Sequence, residues 1–391
     1  MTDPDRPPLD VESIAVTAGR TDSGGALAPT LWSSSAYEVN SADELRRMAT
    51  GMRAERFYSR YANPTVGAFE EAMAELEGAE AALAFASGMG AVASVMLALC
   101  SRGDHIVAQR HIYAGTQLLL QGVCPRFGIE VDFADSREPG ALRAAVRPVR
   151  TMLVIAETPA NPQLALTDLD ELGAIQGPFT LVDSTFAPPV VQRPIAHGVD
   201  LVLHSATKGI AGHNDATLGV VSGSAELLDA IWSYSVLHGA VASPWDAMNG
   251  LRGIRTLAVR VARQSDTALK LARFFEAHPA VASVLYPHLE SHPQHELAKR
   301  QMTMGGSVLA DELAGGVDAG RRFVEAMSLA RVAATLGGPE TLVVHPASST
   351  HVALTPDELD AAGITPGLLR VSVGLEHPDD LIADFAHALL A

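Results

Sequence analysis

The chain has 391 residues, and its 28 Lys plus Arg stand against 45 Asp plus Glu, a formal net charge of −17. That length exceeds one ordinary core and predicts two or three domains; that charge, without a long basic run, argues against nucleic acid or an anionic membrane as a partner. With 48% hydrophobic and 19% charged residues the chain is globular in composition, and two cysteines, Cys100 and Cys124, cannot build a disulfide framework or a four-thiolate zinc site.

Met1 to Thr30 is acidic and Pro-rich, with neither the basic start nor the apolar core of a leader, so a cytoplasmic protein is expected. Residues 1–55 carry turn-formers (Pro4, Pro7, Pro8, Gly24, Gly25, Pro29) and read as an extended arm. From Gly67 the apolar positions Phe69, Ala72, Met73 and Leu76 recur at helical spacing, and Gly78 is placed to end the helix. The uncharged run Ala81–Cys100 has the length of a membrane span. Ser87-Gly88-Met89-Gly90 interrupts it, which predicts a buried strand at Ala82–Ala86, a tight loop and a helix at Ala91–Cys100. Strand patterns follow at His105–Ala108, Ile129–Phe133, Thr151–Glu157, Thr180–Asp183, Leu201–His204 and Thr217–Ser222, with helical stretches near 113–126, 139–147 and 167–175. Short unalternating strands separated by helices predict a mostly parallel sheet covered on both faces, with ligands gathered at its carboxyl edge. Trp245–Ala277 reads as one long helix. Strands at Ala282–Tyr286, Ser307–Leu313, Thr341–His345 and Leu368–Val373 then mix with helices. The expected division is an arm at 1–60, an α/β domain at 61–250 and a smaller α+β domain at 251–391.

The residues with chemistry in them follow strand ends. His204-Ser205-Ala206-Thr207-Lys208-Gly209 closes an apolar strand with two hydroxyls and then a lysine. A lone lysine there is usually a surface residue. The buried edge before it, and the slight bulk at Gly212 and Gly219, suit a lysine that loses its proton and forms a Schiff base. Asp183 ends the preceding strand. Alone it is a cap or turn former; one strand from such a lysine it also suits the partner of a protonated pyridine nitrogen in pyridoxal phosphate (PLP). Gly88-x-Gly90-x-x-Ala93 imitates a dinucleotide fingerprint, but no first strand opens the chain before it and Asp104 comes too early for a ribose contact. Small residues opening a helix suit capture of a single phosphate. His292 to Glu296 lacks the HExxH order and Pro293 disfavours one helical face, so no metal site is expected. Cys100 and Cys124 read as core.

Taken together, Tyr58-Ser59-Arg60-Tyr61-Ala62-Asn63-Pro64-Thr65, Ser87-Gly88-Met89-Gly90, Glu157-Thr158-Pro159-Ala160-Asn161-Pro162, Asp183-Ser184-Thr185-Phe186 and Ser205-Ala206-Thr207-Lys208 resemble the PLP-dependent enzymes of Cys/Met metabolism, the trans-sulfuration family. The resemblance runs from about residue 12 to the C-terminus. It implies the PLP-dependent transferase fold type I, a mostly parallel seven-stranded sheet with a smaller C-terminal α+β domain. It also implies that Lys208 holds PLP as a Schiff base and later moves protons, that Asp183 pairs with the ring nitrogen with Thr185 also at the cofactor, and that Asn161 lies near the ring hydroxyl. Gly88, Met89, Ser205 and Thr207 would hold the phosphate, joined by Tyr58 and Arg60 of a neighbouring subunit. Tyr113 would stack on the ring and pass a proton to the leaving group. Arg370 would grip the substrate carboxylate with its guanidinium fork, with Thr335 and Tyr113 also on the substrate side. The implied partner is a small sulfur amino acid, and the implied assembly a homotetramer of dimers that share active sites. The implied reaction is carbon–sulfur lyase chemistry, α,γ-elimination of a methionine-like amino acid to thiol, ammonia and 2-oxobutanoate; a cystathionine γ-lyase or a γ-replacement synthase is the alternative.

Three departures bear on substrate. Gly115 stands where methionine γ-lyases carry a cysteine. Ala334 replaces a glutamate that many cystathionine enzymes carry, so no charge there meets a distal ammonium. Gly209 replaces a residue often large and aromatic, which predicts a roomier pocket beside the lysine. The C-terminal third is most similar to the methionine γ-lyases.

Overall fold

Seven strands make the central sheet of the computed structural model, which describes residues 9–20, 24–54, 56–349 and 363–391. They are β1 (Ala81–Phe85), β2 (His105–Gln109), β3 (Glu130–Ala134), β4 (Thr151–Glu157), β5 (Phe179–Asp183), β6 (Leu201–His204) and β7 (Gly219–Gly223), in the order β1-β7-β6-β5-β4-β2-β3. β7 runs against both of its neighbours, and the remaining pairs are parallel. Both faces are covered, which is why these strands read as apolar runs. Along β4, Leu153 and Ile155 enter one core cluster while Val154 and Ala156 enter the other. The expected fold class is the one observed.

The helices α1 (Val11–Thr17), α2 (Ala42–Thr50), α3 (Pro64–Glu77), α4 (Gly88–Leu99) and α5 (Ala114–Gly122) come first in the chain. α3 is capped by Asn63 and stopped by Gly78 in the left-handed conformation, φ 69°. β1 and α4 divide the uncharged run, and among the described residues no helix is long and apolar enough to cross a membrane. A second sheet holds β8 (Val281–Leu285), β9 (Val308–Leu313), β10 (Arg331–Val332), β11 (Leu342–Val344) and β12 (Leu368–Ser372) in the order β10-β11-β12-β9-β8.

Two expectations are corrected. The arm is not extended throughout: α1 and α2 interrupt it, and its residues 1–8, 21–23 and 55 lie outside the described residues. Ser41 starts α2 by accepting from the Glu44 N–H at 3.1 Å, while Glu44 accepts from the N–H of Asn40, the residue before the cap, at 2.9 Å. The long helix is two, Pro244–Ile254 and Leu257–Glu276. It breaks because the Gly253 carbonyl accepts from the Thr256 N–H at 3.1 Å and from Arg260 Nη2 at 2.8 Å. Helix Ala225–His238 has no counterpart in the expected elements.

One polar residue sits in the core of the second sheet. Asp311 on β9 lies between Val284 of β8 and Leu369 of β12, is 1% exposed, and has no partner for either carboxyl oxygen. Burial, and secondarily Glu312, pushes its pKa well above the usual carboxyl value. A folded-state pKa above the unfolded value of about 3.9 means this group's contribution is complete below that pH and is lost as pH rises through the folded pKa. Asp311→Val should therefore raise stability at neutral pH by about 1–3 kcal/mol. Melting curves at about pH 5 and about pH 9 should show the parent losing more than the variant as pH rises; equal losses would contradict the reading.

Candidate active site

The carboxyl ends of β4, β5 and β6, the start of α4 and the second sheet enclose a cavity of about 260 Å³. Each wall has a local cause. Ser87 caps α4 by accepting from the Gly90 N–H at 3.0 Å. Gly88 and Met89 then line the cavity where helix N–H groups lack intrahelical partners. A Cβ on Gly88 would stand 2.9 Å from the Ser205 Cβ, so glycine is what lets the first turn of α4 close on the loop after β6.

Asp183 ends β5 and Glu157 ends β4, and the parallel register sets them side by side. Asp183 Oδ1 accepts from the Thr185 N–H at 2.9 Å and hydroxyl at 2.5 Å, and that hydroxyl oxygen accepts from the Ser205 N–H at 2.8 Å. Glu157 accepts from the Tyr113 N–H at 2.6 Å and the Asn161 N–H at 2.8 Å, one through each carboxyl oxygen. Burial, then the charge of Asp183, pushes Glu157 up to about 8 despite those two donors. Burial also raises Asp183, opposed by Thr185 and His204. Each buried carboxyl thus disfavours ionisation of the other.

Lys208 follows β6 in a turn, its N–H donating to the Ser205 carbonyl at 3.0 Å. Its Nζ donates to the Thr335 hydroxyl at 2.9 Å. Burial, then the charge of Arg370, lowers its pKa. Arg370 comes from β12 of the second sheet and is 9% exposed. It donates to Asn161 Oδ1 at 3.2 Å and to the Thr335 carbonyl at 3.1 Å, while its Nε is buried without a partner. Burial brings it down to about 10, so it stays charged at neutral pH.

Of the residues singled out from sequence, Gly88, Met89, Tyr113, Asn161, Asp183, Thr185, Ser205, Thr207, Lys208 and Arg370 line this one cavity. The Thr207 hydroxyl is bonded to the Leu218 backbone, donating at 3.1 Å and accepting at 2.8 Å. Thr335 reaches the site through Lys208. Tyr58 and Arg60 lie elsewhere on the chain: Arg60 donates to the Val236 carbonyl at 2.7 Å and stands over the rings of Tyr58 and Tyr61. Glu157 had no role in the sequence reading, although it occupies a strand end like Asp183, and that position was the available signal. Ala334 lines the cavity. Gly209 is not among the lining residues, and a Cβ there meets nothing within 4 Å, so the space it leaves lies beside the cavity. A Cβ on Gly115 would stand 2.5 Å from Tyr113 Cε1 and 3.0 Å from Met89 Sδ. The cysteines are buried, with Cys100 pushed up to about 12 and Cys124 to about 11.

The profile of the family described as "Cys/Met metabolism PLP-dependent enzyme" matches residues 12–390. The L-methionine gamma-lyase of Porphyromonas gingivalis is 41% identical over 371 residues, 93% of either chain. The O-succinylhomoserine sulfhydrylase of Pseudomonas aeruginosa is 39% identical over 384 residues, 97% of this chain and 95% of that one. Among solved structures, cystathionine gamma synthase from Xanthomonas oryzae pv. oryzae, in complex with aminoacrylate and cysteine, superposes with a TM-score of 0.90 at 37% identity and 98% coverage of both chains.

The bonds from Thr185 favour an ionised Asp183. Thr185→Val should raise the Asp183 pKa further and weaken PLP binding by about tenfold, the equivalent of one charge-assisted hydrogen bond. Fluorescence titration of the cofactor-free protein with PLP measures this, and an unchanged Kd would contradict it.

Proposed function

Because the chain belongs to the Cys/Met metabolism family of PLP-dependent enzymes, we propose that it is a carbon–sulfur lyase that cleaves the Cγ–S bond of methionine-like amino acids by α,γ-elimination. One methionine and one water would give methanethiol, ammonia and 2-oxobutanoate. The observation that carries this reading is a single cavity holding a lysine of lowered pKa beside an arginine with a buried, unpartnered donor.

The residues present fit PLP. Lys208 Nζ would hold its aldehyde carbon, Asp183 its ring nitrogen, Asn161 the region of its ring hydroxyl, and Tyr113 a ring face. Its phosphate would meet Gly88 and Met89 at the start of α4, with Ser205 and Thr207; the notch that a Cβ on Gly88 would fill supports that placement. Bound there, PLP supplies an electron sink for negative charge at the substrate carbons. Arg370 takes the substrate carboxylate with its free Nε, its other nitrogens already set by Asn161 and Thr335. Lys208 Nζ, whose pKa is lowered by burial and by Arg370, removes the proton from Cα and then one from Cβ. The Tyr113 hydroxyl returns a proton to the departing sulfur.

Ala334 supports a methionine-like substrate. Among the described residues the carboxylates that line the cavity are Glu157 and Asp183, both bonded to the scaffold, so a distal ammonium would be desolvated with none of these free to meet it. The sulfhydrylase relative supports a second reading, γ-replacement, in which the same residues act, the acyloxy group leaves Cγ as the free acid and a thiol takes its place. Measuring 2-oxobutanoate from L-methionine and L-cystathionine in parallel, and thioether formation from O-succinylhomoserine plus a thiol, separates these. Methionine is expected to give the highest kcat/KM; a preference for cystathionine would mean that another group meets the distal charge.

The proposal extends to assembly. Tyr58 and Arg60 serve the phosphate of a neighbouring subunit, in dimers that pair into a tetramer. Supporting this, the cations lining a chain's own cavity among the described residues are Lys208 and Arg370, and neither belongs to the start of α4, where the phosphate would lie. Arg60→Ala and Lys208→Ala should each lose turnover alone, and hybrids made by mixing the two unfolded variants and refolding them together should recover it. Inactive hybrids would contradict a shared site.

A further inference from the structure

The bond from Lys208 Nζ to Thr335 joins two loops that follow different sheets, and neither loop sets that distance alone. They meet backbone on backbone. Gly337 has φ 80°, and a Cβ there would lie 2.5 Å from the Gly209 nitrogen and 2.9 Å from the Lys208 carbonyl carbon. Behind both loops runs helix Leu257–Glu276. Its Arg260 is 4% exposed and donates to the carbonyls of Gly209 at 2.9 Å and Ile210 at 3.2 Å, the two peptides directly after Lys208. One turn later Gln264, 1% exposed, donates through Nε2 to the Gly338 carbonyl at 2.9 Å, three residues beyond Thr335. Residues at i and i+4 share a helix face, so one rigid element holds both loops.

We infer that Arg260 and Gln264 form a clamp that sets the separation between Lys208 Nζ and the Thr335 hydroxyl, and are positioning residues for proton transfer by Lys208. This rests on the reading of Lys208 as the residue that holds PLP. Space filling does not account for the pair. The Arg260 donors go to the carbonyls of Gly209, Ile210 and Gly253 and to the Thr256 hydroxyl at 3.1 Å, with no acid among them. A buried cation without an acid is a poor way to fill a core, and an apolar residue of similar volume would do it better. The neighbouring chain makes room for it, since a Cβ on Gly212 would lie 1.9 Å from Arg260 Nη1. The arrangement is explained if the direction of the peptides beyond Lys208 matters, because displacing a reacting group by about 1 Å lowers rates by roughly 100-fold.

The test uses PLP-loaded enzyme and compares Gln264→Leu, Arg260→Lys, Thr335→Ala and the Gln264→Leu/Thr335→Ala double variant with the parent. Readouts are the pH midpoint of cofactor absorbance, the pH profile of kcat, KM and the melting temperature. Thr335→Ala removes an acceptor from the lysine ammonium, so the limb of the kcat profile that reports Lys208 should move to lower pH. Gln264→Leu should move that limb and the absorbance midpoint in the same direction and lower kcat about tenfold or more, with KM within about threefold. In the double variant the shift should not exceed that of Thr335→Ala alone, because both act through one bond. Arg260→Lys keeps the charge but not the fork and should resemble Gln264→Leu; if it does not fold, Gln264→Leu still decides. Parent-like midpoint and kcat in Gln264→Leu, or effects that add to those of Thr335→Ala, would overturn the clamp. Lys208→Ala separates the two readings: if it keeps the absorbance of a lysine-bound cofactor, the assignment of Lys208 fails, whatever the clamp variants do.

Discussion

Parallel pairing of β4 with β5 sets Glu157 beside Asp183 at the buried ends of neighbouring strands, where burial raises the pKa of both. Much of the site follows from how those two carboxyls are held. Glu157 ties down the backbone at Tyr113 and Asn161. Asp183 is held by Thr185, and Thr185 in turn holds the Ser205 N–H in the loop that leads to Lys208. One pair of strand ends thereby anchors Tyr113, Asn161 and the lysine turn.

The second sheet completes what the first cannot supply. A parallel sheet edge offers backbone N–H groups, hydroxyls and carboxylates, but the arginine and the lysine's hydroxyl partner come from the segment 334–372. Backbone approaches backbone at the junction, where a Cβ on Gly337 would meet the Gly209 nitrogen at 2.5 Å, and a Cβ on Gly338 would meet the Asn214 side-chain amide at 2.3 Å. The same close packing makes the junction sensitive to the helix behind it, since little slack remains to absorb a shift.

Proteins this similar differ in activity, since the relatives include an L-methionine gamma-lyase and an O-succinylhomoserine sulfhydrylase. Of the two positions that depart from charged or reactive side chains, Ala334 lines the cavity and Gly115 lies against Tyr113 and Met89, which line it.

Strand ends were legible because short, fully buried parallel strands leave an unmistakable apolar run: Thr151–Glu157 and Leu201–His204 begin and end where the pattern says. The cap of α2, Ser41 three residues before Glu44, was present in the sequence as well. Other features depended on partners distant in the chain. Helix-forming residues run through Arg255 and Thr256, and the break there arises because Gly253's carbonyl is drawn to Arg260. Glu157 and Asp183 are each recognisable as acids at strand ends, but their adjacency requires that β4 and β5 be neighbours in register. The sequence by itself determined which residues stand at the ends of buried strands, since local periodicity and small-residue turns decide that. Only the tertiary structure decided which of those ends meet, which carboxyls burial pushes up in pKa and what Lys208 reaches, because burial and proximity belong to residues brought together from distant parts of the chain.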